Sequence, residues 1–278
     1  MNVGIRFHDT PKLPFESRVE SVAEQGFGCV QLALYHAFDD FAGNAALTPG
    51  FAAHIKRTFE RNSVDLAVLG CYMNPLHPEK AALVGIYETY AAHLRFASWL
   101  GGCVVGTETG CPNAEYRHVP ECQTDACFEL FIKNIAPVVE AAERLGVVLG
   151  IEPVAAHSIY DAKRARRALD VLASRNVRII FDPVNLLNAG NAASYRDIFA
   201  GFTDLVGEEI AVLHLKDFIL DGDGFRSVPF GFGQIDYSET MAFVKRYKPH
   251  IHASLEDTKP ENAATARKNA QNAFAEAR

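Results

Sequence analysis

The chain has 278 residues, of which 49% are hydrophobic, 22% charged and 10% aromatic, a balance that suits a folded globular protein and argues against extensive disorder. Its 27 basic and 34 acidic side chains leave a net charge of −7, which sets it against nucleic-acid phosphates while leaving room for a small anion held by a few local cations. No run approaches the roughly 18 consecutive apolar residues of a membrane span, and Met1–Phe7 lacks the basic-then-apolar layout of a secretory leader, so no membrane partner and a cytoplasmic location are expected.

Short β-rich runs recur at Val3–Phe7, Gly28–Leu34, Val64–Leu69, Cys103–Val105, Val147–Ile151, Val177–Phe181, Ile210–His214 and His250–Leu255. Each is followed by a stretch that reads as helix. Eight runs in 278 residues is about one per 35, close to the length of a βαβ unit. Ser158–Asp161, Asp236–Glu239 and Thr258–Glu261 each place a capping side chain three residues before an acid. Gly26 and Gly146 stand where helix C-caps stand. Between Cys127 and Leu145 apolar residues recur at helical spacing, and Pro137 inside that stretch predicts a kink or break. The cysteines (Cys29, Cys71, Cys103, Cys111, Cys122, Cys127) contain no Cys-x-x-Cys pair and read as reduced core or loop thiols.

Runs such as Val147–Ile151 are apolar on both faces, as a parallel strand covered by helices on one side and barrel core on the other must be. An open doubly wound sheet gives the same alternation, but the polar residues favour a (β/α)8 TIM barrel, an α/β fold filling residues 1–278 as one domain. Glu152 follows one strand run and precedes Pro153, and Asp182 follows the next and precedes Pro183. His214 ends Ile210–Leu213, and Glu256 follows His250–Leu255. Singly, each has a dull explanation as a loop cap or a hydrogen-bonded core histidine. At four successive strand ends they converge on the face where barrel active sites are built. Carboxylates gathered in an apolar mouth repel one another unless a cation compensates, and three oxygen donors plus an imidazole suit one Mn²⁺, Mg²⁺, Co²⁺ or Zn²⁺ ion.

Ile151-Glu152-Pro153, Phe181-Asp182-Pro183-Val184-Asn185, His214-Leu215-Lys216-Asp217, the Pro229–Gly233 turn and Ser254-Leu255-Glu256 together resemble the xylose-isomerase-like sugar isomerase/epimerase family, including its D-tagatose 3-epimerase-like branch. The resemblance implies a (β/α)8 barrel with one divalent metal on Glu152, Asp182, His214 and Glu256, the two glutamates doubling as an acid/base pair. It also implies a dimer or tetramer. One position departs: those epimerases carry a substrate-contacting histidine three residues after the metal aspartate, where this chain has Asn185. The barrel and metal carry over; the particular substrate does not.

The expected activity is isomerisation or epimerisation of a small sugar, sugar acid or sugar phosphate, with Glu152 and Glu256 exchanging a proton through a metal-stabilised enediolate. Asn185, His157, Lys216, Glu108 and Tyr72 are candidate substrate contacts. Lys216 has the alternative of an exposed pair with Asp217, and His157 that of a helix-entry cap. Tyr72 and Asn74 have that of loop packing, and His8 stands between pocket and structural roles. The competing functions are a keto-polyol dehydratase, a non-catalytic sugar-binding barrel and, against the acidic charge, an AP endonuclease. Gly231-Phe232-Gly233 lacks the third glycine of a dinucleotide fingerprint, and Asp221-Gly222-Asp223-Gly224 lacks the remaining ligands of a calcium loop.

Overall fold

The computed structural model describes residues 1–222 and 224–278; Asp223, in the segment compared with a calcium loop, lies outside the described residues. The strands are β1 (Asn2–Arg6), β2 (Cys29–Leu32), β3 (Asp65–Gly70), β4 (Val104–Glu108), β5 (Leu149–Glu152), β6 (Val177–Phe181), β7 (Ile210–Asp221), β8 (Gly224–Pro229) and β9 (His252–Leu255). All neighbours pair in parallel from β1 through β7, then β9 bridges β7 back to β1. The eight parallel strands therefore close into a (β/α)8 barrel. Around them lie α1 (Phe15–Glu24), α2 (Leu34–Ala37), α3 (Pro49–Arg61), α4 (Lys80–Leu100), α5 (Asp125–Leu145), α6 (Ala162–Leu172), α7 (Tyr195–Val206), α8 (Ser238–Tyr247) and α9 (Ala263–Glu276).

Strand side chains alternate between two cores. Odd positions such as Val105, Leu149, Ile151, Ile179, Phe181, Leu213, Leu215, Ala253 and Leu255 join the large cluster beneath the helices. The barrel interior is filled by Cys29, Ala67, Val68, Ile180 and Val212. Gly106 and Gly150 share that inner face, where a Cβ on Gly150 would stand 2.6 Å from Val104 Cγ1 and 2.8 Å from Ile180 Cγ1. Ile180 fits between β4 and β5 because both strands lack a side chain there. Two residues further along, the same inward face carries Glu108, Glu152, Asp182 and His214.

The seventh strand extends beyond its expected end at His214. It runs to Asp221 and turns back antiparallel into β8, pairing Lys216 with Pro229 and Asp221 with Gly224. The Asp-Gly punctuation concealed this hairpin. Its apolar face, Phe218 with Leu220 and Phe225, packs on Val184, Leu187 and Phe199. Asp217, facing away from Lys216, accepts N–H bonds from Phe218, Gln234 and Ile235 on Oδ1 and from Gly233 on Oδ2, at 2.8–3.0 Å. One buried carboxylate thus folds the Pro229–Gly233 turn against the strand.

Asp161, at the acidic end of its proposed box, is itself the cap of α6, accepting from Arg164 N–H at 2.8 Å. Asp236 accepts from Ser238 N–H at the start of α8. Thr258 instead turns its hydroxyl to Asp9, because α9 starts later, at Ala263. Gly146 takes a left-handed φ of 64° at the end of α5. Of the kink or break expected at Pro137 the break does not occur: the helix continues through it, because packing of its apolar face outweighs the missing N–H. All six cysteines are buried without a disulfide. No helix among the described residues is long and apolar enough to cross a membrane.

Two substitutions test this packing. Gly150→Ala overpacks the barrel interior and should cost about 1–3 kcal/mol in urea unfolding. Asp217→Ala strips the acceptor from four N–H groups and should cost about 3 kcal/mol. A midpoint within error of wild type in either variant contradicts the corresponding contact.

Candidate metal centre

Glu152, Asp182, His214 and Glu256 all reach the C-terminal mouth of the barrel, and each is more than nine-tenths buried. Glu152 closes β5, Asp182 follows β6, His214 lies on the inward face of β7, and Glu256 follows β9. One ligand atom each from Glu152, Asp182 and His214 lies within 4.8 Å of the others. Glu256 stands beside this trio, its Oε1 3.1 Å from His214 Nδ1, while Glu152 Oε2 approaches the same nitrogen at 3.4 Å.

Lys216, two residues beyond His214, shares its face. Its ammonium sits 2.9 Å from Asp182 Oδ2 and 3.1 Å from Glu256 Oε2. The exposed pair with Asp217 is therefore not formed: Lys216 is buried among the acids, and Asp217 serves the Pro229–Gly233 turn. Burial works against the charge of His214, but Glu152 and Glu256 prevail and raise its pKa to about 10. Burial lifts Asp182 to about 6, with Glu256 and Glu152 pushing the same way against Lys216. Glu256 resists burial and stays well below the usual carboxylate range because Lys216, His214 and Arg6 surround it.

These residues fit a divalent cation. Both ring nitrogens of His214 and Oδ2 of Asp182 are buried without an aligned hydrogen bond, although such groups are ordinarily satisfied. With His214 neutral, as a metal ligand must be, and Arg6 paired with Asp9 and Asp257, three carboxylates against the Lys216 ammonium leave two negative charges, which a dication would balance. The donor set of oxygens and one imidazole suits Mn²⁺, Co²⁺, Zn²⁺ or Mg²⁺.

Of the remaining candidates, Tyr72 donates its hydroxyl to Glu152 Oε2 at 3.2 Å and accepts from Gln31 at 3.0 Å. Asn185 donates to Glu152 Oε1 at 2.6 Å, and its N–H caps Asp182 Oδ1 at 3.0 Å. Both hold the glutamate carboxylate from outside the trio. Glu108 is the register partner of Glu152 at the end of β4. Burial, then the charge of Glu152, raises its pKa to about 7. His157 is buried 3.7 Å from Glu108 and is held neutral, with a pKa near 4, by burial. Asn74 lies apart as a loop clamp, bonding Cys111 and Asn113 carbonyls. His8 packs on His36, ring centres 4.8 Å apart.

Sequence reasoning passed over Arg6, Asp9, Asp257 and Tyr116. Arg6 forks onto Asp9 at 3.0 Å, reaches Asp257 at 3.3 Å and lies 3.6 Å from Glu256. Its signal was available: it stands two residues after inward-facing Gly4 at a strand end. Tyr116 and Asp257 sit on loops in left-handed backbone conformations, which no periodicity reveals. A cavity of about 350 Å³ opens at the rim between Asn185, His118, Gln123, Phe225 and Ser227.

No curated protein matches the sequence significantly. Solved structures resemble it: a D-tagatose 3-epimerase-like protein shares 18% identity over 99% of this chain and 97% of its own, with a TM-score of 0.74. The IOLI protein, solved with a zinc atom, shares 14% over 98% and 96%, with a TM-score of 0.73. The probable 3-DHS dehydratase AsbF of Bacillus anthracis shares 14% over 98% of each chain, with a TM-score of 0.72. At such identities the likeness is one of fold. The family described as xylose isomerase-like TIM barrel matches residues 19–276, almost the whole length of the closed barrel, and the chain belongs to that family.

Proposed function

We propose that the protein is a divalent-metal-dependent isomerase or epimerase of a small carbohydrate, acting as one domain over residues 1–278. The observation that carries this reading is the convergence of Glu152, Asp182 and His214 within 4.8 Å, with Glu256 against the same imidazole. An ion held by these four residues supplies Lewis-acid polarisation of a carbonyl and an adjoining hydroxyl.

The rest of the chemistry belongs to the side chains. Glu152 and Glu256 reach His214 from strands separated by β6 and β7, so a sugar carbon lying between them is flanked by two carboxylates. One removes the proton next to the carbonyl and the other delivers a proton, each glutamate using the oxygen not engaged as a ligand. Tyr72 and Asn185 pin both oxygens of Glu152, and Lys216 pins Glu256. Both bases are thereby oriented before substrate arrives, which is what proton transfer at carbon demands.

A second reading, dehydration of a keto-polyol, is favoured by the fold likeness to the probable 3-DHS dehydratase, whose TM-score of 0.72 lies just below the 0.74 of the epimerase-like protein. The same proton removal would be followed by loss of a β-hydroxyl as water. Proton NMR in D₂O with a panel of ketoses separates the two. An isomerase or epimerase incorporates deuterium at constant composition, and a dehydratase releases water.

Glu256→Gln and Glu152→Gln should each lower C–H exchange by about 10³-fold, the scale of lost general acid–base catalysis. Full exchange in either variant removes that glutamate from the mechanism. Dialysis against a chelator should abolish exchange, and Mn²⁺, Co²⁺, Zn²⁺ or Mg²⁺ should restore it. Activity that survives complete metal removal, verified by elemental analysis, sinks the metal assignment.

A further inference from the structure

Gln31, on β2, is a polar side chain only 3% exposed, and it is not one of the four proposed ligands. Val30 and Leu32 beside it join the core beneath the helices, and Cys29 lines the barrel interior, so the two-residue period of the strand turns Gln31 inward. Its Nε2 donates to the hydroxyl of Tyr72 at 3.0 Å, and that hydroxyl donates to Glu152 Oε2 at 3.2 Å. Tyr72 follows β3, and its ring folds back across the barrel. A Cβ on Gly70 would stand 3.1 Å from Tyr72 Cε2, and one on Gly106 3.4 Å from the hydroxyl oxygen. The ring thus crosses two strands that present no side chain beneath it, and a chain of two hydrogen bonds links β2 to β5.

The direction of that chain follows from its members. A carboxylate has lone pairs and no proton, so it only accepts, and the one proton of the tyrosine hydroxyl goes to Glu152. What Gln31 offers the same hydroxyl is then an N–H, and its Oε1 is left buried without a hydrogen-bond partner, although such groups are ordinarily satisfied. Turned the other way, the amide oxygen would compete with Glu152 for the Tyr72 proton. Glu152 Oε2 also faces His214 Nδ1, at 3.4 Å, whereas Asn185 holds Oε1. Tyr72 therefore holds the oxygen on the imidazole side.

We propose that Gln31 is a positioning residue for Glu152: by donating to Tyr72 it commits the tyrosine proton to Glu152 Oε2 and fixes the orientation in which that carboxylate serves as ligand and base. The role rests on the metal-dependent isomerase reading, and Gln31 acts in it through Tyr72.

A double-mutant cycle in the full-length protein tests this, combining Gln31→Met, which keeps the side-chain length without the donor, with Tyr72→Phe. Mn²⁺ affinity is read by calorimetry on chelator-treated protein, and C–H exchange by NMR in D₂O with D-tagatose and D-fructose. Gln31→Met alone should weaken Mn²⁺ about tenfold and lower kcat about tenfold, the scale seen when a group that orients a metal ligand is lost, with KM within about twofold of wild type. In the Tyr72→Phe background the same substitution should move neither quantity by more than about twofold, since the relay is already cut. Circular dichroism checks folding, and Gln31→Leu takes the place of a methionine variant that does not fold. Unchanged Mn²⁺ affinity in the folded Gln31 variant overturns the proposal, as does an equal loss in the Tyr72→Phe background, which would mean that Gln31 acts without Tyr72. A wild type that binds no Mn²⁺ removes the metal assignment and this role with it. If Mn²⁺ binds but neither ketose exchanges, the isomerase reading loses its support while the Mn²⁺ cycle still decides the role of Gln31, so the two failures are told apart.

Discussion

Three carboxylates buried in one barrel mouth are the constraint around which the rest of this structure is arranged. Isolated ionised groups in such surroundings carry a desolvation penalty of several kcal/mol each, and mutual repulsion adds to it. The fold meets that penalty locally. Lys216 lies between Asp182 and Glu256, Arg6 approaches Glu256 from β1, and Tyr72 and Asn185 donate to Glu152. Since Arg6 also serves Asp9 and Asp257, these contacts leave an excess of negative charge beside an imidazole whose two nitrogens lack an aligned hydrogen bond. The proposed metal centre is therefore legible as an electrostatic remainder.

The two-residue period of a strand is what delivers these groups to one place. Ile180 and Asp182, Val212 and His214, Gly150 and Glu152 are pairs in which the first member faces the barrel interior and the second reaches the mouth. Packing below and chemistry above are consecutive positions on the same inward face. The glycines at 106 and 150 matter for this reason: they admit Ile180 into the interior and so set the level at which the acids begin.

Around this rigid floor the loops add what differs between members of a fold shared by isomerases, epimerases and dehydratases. The β7–β8 hairpin, held down by Phe218 and Phe225 and braced by Asp217, places Ser227 against Asp257 at the rim. The long connection after β4 brings Tyr116 to Glu108, and that after β5 brings His157 to the same carboxylate. On the proposed reading, reaction type and substrate are decided in this upper layer, since the four proposed metal ligands would serve any reaction that begins by polarising a carbonyl.

The alternation of β-rich and helical stretches was readable along the chain because each element carries its own hydrophobic period, and so was the position of Glu152, Asp182 and Glu256 at strand ends; His214 was placed on the right strand, although β7 runs past it to Asp221. These are local properties, set by residues within a few positions of one another. Lys216 was half legible. Its spacing from His214 was visible, but its burial depended on β7 continuing past the barrel, and that depends on pairing with β8. Arg6 with Asp9 and Asp257, Tyr72 with Gln31, and Tyr116 with Glu108 and His157 were decided by tertiary structure alone. Their partners lie on different strands and loops, and only closure of the sheet brings β9 beside β1 and fixes which charge faces which. Sequence periodicity tells a side chain which way to point; the company it meets there is settled by the folding of distant segments into the same small volume.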